Sequence, residues 1–232
     1  MSRKSSPTLE PTPPPDPEPS PRWRRRPEDR PDEIIDAAIV VFGKQGFAAA
    51  KLEDIARRAG VSKGTLYLYF DSKDALFRAM VRSRISAALP SVDELLPSGS
   101  TVAEATERFI RRLWQFISRP DVVPIVRLVH SEIAESFPDL ARFYFNEVIV
   151  PSRRLLVSVL QRGMVSGEFH TEHPELIQRE ICSLVVHGAM CQRYFARHDP
   201  EPVADARLID GIVDLALRGL GAPPRPRKRS QP

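Results

Sequence analysis

Two cysteines in 232 residues, Cys182 and Cys191, exclude a disulfide framework. They stand nine positions apart in a segment that reads as helix, and nine steps of about 100° place them on opposite faces. They fit small buried hydrophobes in a reducing compartment, with a redox sensor as the alternative. There is no run of 18 apolar residues and no apolar core of a signal peptide at the N-terminus, so neither a membrane span nor export is expected, and a cytoplasmic location is. Segments of alternating polarity and repeats of 20 to 50 residues are missing as well, which excludes sheet and solenoid architectures and leaves an all-α fold. No nucleophile–base pairing, metal-ligand cluster or phosphate loop stands out, so no enzyme, metal or cofactor is expected. His170 and His173 flank a probable turn with no third ligand nearby and read as surface residues.

Charge of one sign is scarce where it would matter most. The formal net charge of +4 resides in the ends: residues 1–30 hold seven Lys/Arg against five Asp/Glu, and 221–232 hold four against none. The body from 31 to 220 is slightly acidic, so a nucleic-acid argument has to rest on where individual side chains point. Residues 1–21 contain eight prolines and almost no apolar side chain, a composition that cannot offset the entropy of folding. A disordered Pro/Arg-rich arm over 1–27 and a disordered basic tail over 221–232 are expected. The cluster around Trp23 and the run "RPRKR" at 225–229 read equally as phosphate or minor-groove contacts and as solvated ends.

Between the ends the 42% apolar residues fall at helical spacing. Ile34, Ile35, Ala38, Val41 and Phe42 form one stripe at period 3.6, with Gly43 and Gly46 as the stop. A short helix follows over 52–59, another over "KGTLYLY", and a fourth opens at Ser72 and ends at Pro90. Residues 90–100 read as a loop, and Thr101 with Glu104 forms a capping box. Further helices are expected near 121–136, 138–166, 174–197 and 203–220, about nine in all, with a kink at Pro151 and with Pro174 and Pro202 in first turns.

The stretch "VSKGTLYLYF" at 61–70 spends a glycine inside a short helix, at a cost of about 1 kcal/mol relative to Ala. Two helices crossing at about 90 to 120° need a small residue at their contact, a turn residue that tolerates positive φ, and apolar residues facing inward. Ala56, Gly60 and the set Ile55, Val61 and Leu66 meet these needs, the spacing of a helix-turn-helix. Ser62 caps the second helix and places Lys63, Gly64 and Thr65 in its first turn. Gly64 then lets a DNA backbone or base edge approach, Thr65 offers a hydroxyl and a methyl, and Tyr67 and Tyr69 offer phenols. Leu66 and Phe70 read as core; Tyr67 lies about 100° from Leu66, on the outer face with Lys63. Tyr69 reads as partly core, its ring packed and its hydroxyl outward.

With "IIDAAIVVFGKQGF", "LEDIARRAGVSKGTLYLYF" and "DSKDALFRAMV" in place, residues 31 to about 80 closely resemble the N-terminal domain of TetR/AcrR bacterial transcriptional regulators. The resemblance implies a three-helix DNA-binding domain within 28–90, a linking fourth helix, and a helical domain over 91–220 that dimerises and binds an effector. It places Lys63, Gly64, Thr65 and Tyr67 in the major groove and Tyr69 and Lys73 on phosphate. Lys51 stands where the family often has Ser or Thr; it gives up a cap bond and gains a charge for phosphate. Tyr69 stands where the family often has His.

The implied partners are a palindromic DNA operator, a second copy of the chain and a small-molecule effector, and the implied role is repression. Ile177, Ile181, Leu184, Gly188, Cys191 and Phe195 form one seam for a dimer, and Ile209, Ile212, Val213 and Ala216 another, unless both seams bury intrachain core. Trp114, Phe116, His130, Tyr144 and Met190 are the effector-pocket candidates, with Phe143 and Phe145 beside them. The rival function is a nonspecific architectural DNA binder working through its basic arms.

Overall fold

The computed structural model describes residues 30–222, and every regular element among them is helical. The arm and residues 223–232 of the basic tail, including Trp23 and Arg225, lie outside the described residues. Helix α1 (Arg30–Gln45) buries the stripe Ile34, Ile35, Ala38, Val41 and Phe42. It passes through Gly43 without stopping. A Cβ there would meet Pro124 Cβ at 3.1 Å, so Gly43 is a packing notch, and the chain turns only at Gly46, where φ is 82°. Helices α2 (Leu52–Ala59), α3 (Lys63–Tyr69) and α4 (Lys73–Arg84) follow. α4 is shorter than the sequence pattern implied, giving way to a 3-10 turn at Ser86–Ala88. Arg84 pins its end to α1 through Asp32 at 3.1 Å and Asp36 at 2.8 Å.

The expected loop over 90–100 contains a one-turn helix, α5 (Val92–Leu95), capped by Ser91. α6 (Val102–Ile117) opens on the Thr101–Glu104 capping box. Two rods come next. The first joins α7 (Val123–Leu128) through a π turn at Val129–Ile133 to α8 (Ala134–Ser136). The second joins α9 (Pro138–Tyr144) through a π turn at Phe145–Ile149 to α10 (Val150–Ser166). The irregularity expected at Pro151 takes this π form: proline has no N–H to give the preceding turn, and the Glu147 carbonyl accepts from Ser86 Oγ at 3.4 Å. α11 (Pro174–Phe195) carries Pro174 in its first turn, whereas α12 (Asp205–Gly219) begins beyond Pro202.

Two cores hold these helices. The first packs α1–α4 against α7–α9, with the Phe47 ring 5.2, 5.8 and 4.8 Å from those of Phe42, Phe77 and Phe137. It crosses the boundary expected near residue 90, because Ile125, Leu128, Ile133 and Leu140 belong to it. The second core gathers α5, α6, α10, α11 and α12. Ile181, Ile209, Val213 and Ala216 are buried in it and leave little or no surface for a second copy, a correction to the seams read from the sequence. Trp114 is also core: its indole donates to Asp205 Oδ2 at 3.4 Å and its ring fills the space beside Gly188.

Candidate nucleic-acid interface and ligand cavity

The turn between α2 and α3 is set by Gly60, in the left-handed region at φ 68°, whose N–H closes on the last carbonyls of α2. Leu66 is fully buried and locks α3 by its inner face. One residue on, Tyr67 is 41% exposed, and Leu68, about 200° round the helix from Leu66, is 83% exposed. Tyr69 is exposed too, as are Lys51, Ser62, Lys63 and Gly64. Among the described residues the only outside atom within 4 Å of a Cβ built on Gly64 is Ser62 Oγ at 3.8 Å, so the leading turn of α3 is open to close approach.

Several side chains are already engaged. Ser62 Oγ accepts from the Thr65 N–H at 3.0 Å and shares a 2.8 Å hydrogen bond with Thr65 Oγ1, so the Thr65 hydroxyl is tied into the cap of α3. Lys63 Nζ lies 2.5 Å from Glu53 Oε1 and 5.8 Å from the Tyr67 ring centroid. The hydrogen bond between them raises the Lys63 pKa and lowers that of Glu53. Lys73, expected on phosphate, instead donates to the carbonyls of Phe47 at 2.8 Å and Ala48 at 3.0 Å, closing the turn after α1. Lys51 stands at the N-cap of α2 without a side-chain cap bond. Leu68 and Glu53 join this face beyond the residues expected from the sequence. Leu68 was legible as an apolar residue nearly opposite Leu66; the Glu53–Lys63 pair depends on how α2 and α3 cross. Ser62→Ala removes the α3 cap and is expected to cost about 1 kcal/mol in urea denaturation.

A cavity of about 780 Å³ lies between the 3-10 turn after α4 and helices α6, α7, α9, α10 and α11. Phe116, His130, Tyr144 and Met190 line it, whereas Trp114 does not. Phe143 stacks instead with Arg78 and Arg82, and Phe145 with Arg153. His130 is held by Nδ1 against the Val126 carbonyl at 2.8 Å. Burial pushes the Tyr144 phenol up to about 12 and the Cys182 thiol to about 11, so both stay protonated and Cys182 is not a reactive thiolate.

The rod that carries His130 also carries Glu132, which points the other way. Its carboxylate accepts from the Phe47 and Ala48 N–H groups, each at 2.7 Å, beside Gly46. Lys73 holds the carbonyls of the same two residues. Arg127 donates to the Gly43 carbonyl. The turn between α1 and α2 is thus clamped from both sides, and one clamp is continuous with the cavity wall.

Residues 34–80 match the model of bacterial regulatory proteins of the tetR family, and residues 104–221 match the C-terminal domain of AefR-like transcriptional repressors. The chain belongs to the TetR family. Among TetR-family relatives, it is 27% identical over 136 residues to the fatty acid metabolism regulator protein of Bacillus subtilis, covering 59% of this chain and 69% of that one. It is 26% identical over 143 residues to the transcriptional repressor KstR2 of Rhodococcus jostii, covering 62% and 69%. The crystal structure of the regulator FadR from Bacillus subtilis in complex with stearoyl-CoA superposes with a TM-score of 0.67 at 21% identity, over 81% of this chain and 98% of that one, a likeness of fold. As a TetR-family protein the chain is a DNA-binding transcriptional regulator, and α2 and α3 are its helix-turn-helix.

Proposed function

We propose that the chain is a repressor that reads a palindromic operator as a homodimer and releases it when a small molecule fills the cavity. The observation that carries this reading is the Glu132 clamp: the α7–α8 rod presents Val126 and His130 to the cavity and Glu132 to the turn that positions α2 and α3. A ligand that shifts the rod moves this turn, and with it the separation of two recognition helices that must sit about 34 Å apart on the duplex. Rod displacement links the sites only if the ligand prefers one of the two arrangements.

The dimer faces are the exposed sides of α11 and α12, which keep Leu184 and Phe195 of the α11 seam and leave out its buried Ile181. Leu184 and Phe195, the latter 65% exposed, lie on α11 with Leu176 beside them; Ile177, Gly188 and Cys191 are half-buried. On α12, Leu215 is exposed and Gly211 has open space around it, while Ile212 packs against the core.

Selection of duplexes from a random library tests the reading. The expected product is a two-fold-related pair of half-sites bound at least about 1,000-fold tighter than scrambled DNA. Equal affinity for scrambled DNA would instead mark an architectural binder. Leu184→Glu places two like charges at the two-fold interface and is expected to shift the dimer to monomer in analytical ultracentrifugation, with a matching loss of operator affinity.

A further inference from the structure

The wall of the 780 Å³ cavity has a one-sided chemistry. It is apolar over Leu113, Phe116, Val126 and Met190, and among the described residues no Asp or Glu lines it. Two arginines line it from neighbouring helices, half-buried Arg153 on α10 and exposed Arg179 on α11. Neither has a carboxylate partner among the described residues: Arg153 stacks on the Phe145 ring at 5.1 Å, and Arg179 makes no ion pair. The adjoining cleft of about 420 Å³ differs, because its arginines are neutralised, Arg112 by Glu94 at 3.3 Å and Arg119 by Asp121 at 2.5 Å. Buried Gln178 and half-buried Cys182 line the same cavity, joined by a hydrogen bond from Gln178 Nε2 to Cys182 Sγ at 3.1 Å.

Cations bordering an apolar cavity call for an opposite charge, and a guanidinium fork matches the two oxygens of a carboxylate or phosphate. A cationic ligand would meet two like charges and no acid. The two clefts share Leu89, Leu113, Phe116 and Ser152, so an elongated body can lie along both. The volume suits a drug-sized molecule.

We infer that the cavity takes an elongated anionic amphiphile, its carboxylate or phosphate head between Arg153 and Arg179 and its apolar body running past Phe116 to Leu89 at the end of the α4 linker. This rests on the ligand-released reading above and names the ligand chemistry of that same cavity. The head comes either from a free acid or from the phosphates of an acyl carrier.

Calorimetry on the DNA-free full chain tests it with four probes of one chain length, below their micellar concentrations: dodecanoate, lauroyl-coenzyme A, 1-dodecanol and dodecyltrimethylammonium. At least one anion is expected to bind tenfold or more tighter than the alcohol, with the ammonium weakest. Dodecanoate alone binding tightly marks a free acid; the thioester alone marks the carrier phosphates. The double variant Arg153→Met and Arg179→Met is expected to abolish the anion's advantage while leaving dodecanol affinity and Tm unchanged. An alcohol or ammonium that equals the anions, a double variant that keeps the anion preference, or no binding by either anion overturns the assignment. Operator release is read separately: an anion that binds without lowering operator affinity refutes ligand control and leaves the head-group assignment standing.

Discussion

Tyr67→Ala is expected to lower operator affinity by roughly 100-fold with no measurable change in Tm. The substitution is present twice in a dimer. Each lost contact on the DNA face is worth about 1–3 kcal/mol, so a total near 3 kcal/mol corresponds to a little over two decades in Kd. Stability is expected to be untouched because the Tyr67 side chain stands on the exposed face of α3, with the Lys63 ammonium 5.8 Å from its ring centroid. Leu66→Ala, one position away, is expected to do the reverse. It empties a fully buried site and costs about 2–5 kcal/mol of stability. A gel-shift titration beside a thermal melt separates the two. A Tyr67→Ala protein that melts early while binding normally would turn the helix round.

The second large effect is expected at Glu132. Its carboxylate satisfies two backbone N–H groups, and bonds to a charged acceptor are worth about 1.5–3 kcal/mol each. Glu132→Ala is therefore expected to remove about 3 kcal/mol, lowering Tm by about 6–12 °C in a chain of this size. It should also cut the link between the sites: ligand still binds the cavity, since Glu132 is not part of its wall, but operator affinity no longer responds. Glu132→Gln keeps one acceptor oxygen and is expected to fall between. If Glu132→Ala binds operator and responds to ligand like the parent, the clamp carries no signal.

The helix-turn-helix was legible because its requirements are local. Ala56, Gly60 and Leu66 are fixed by contacts within twenty residues, and each sits where the spacing put it. The seams on the last two helices show where such reading stops. Helical phase identifies an apolar stripe at Ile181 and Val213 but not what covers it, and α6 and α10 of the same chain claimed it. Of the residues read as a seam on α11, Leu184 and Phe195 stay exposed, and on α12 the exposed apolar residue is Leu215, which the sequence pattern did not single out. Trp114 is a similar case, an aromatic at pocket spacing that the approach of Gly188 converts into core. Lys73 and Glu132 were out of reach for another reason. Their partners are backbone groups 25 to 85 residues away, on a turn whose position depends on the packed fold. The π turns fall in the same class, with Pro151 as the single local signal for one of them.

Photo-cross-linking with 5-bromouracil placed along the selected operator, followed by mapping of the adducts to peptides, tests the central claim most directly. The account predicts adducts within residues 62–70, at Tyr67 and its neighbours, from uracils in two successive major grooves on one face of the duplex. Adducts found only elsewhere in the chain, with 62–70 unmodified at every bromouracil position, would contradict it.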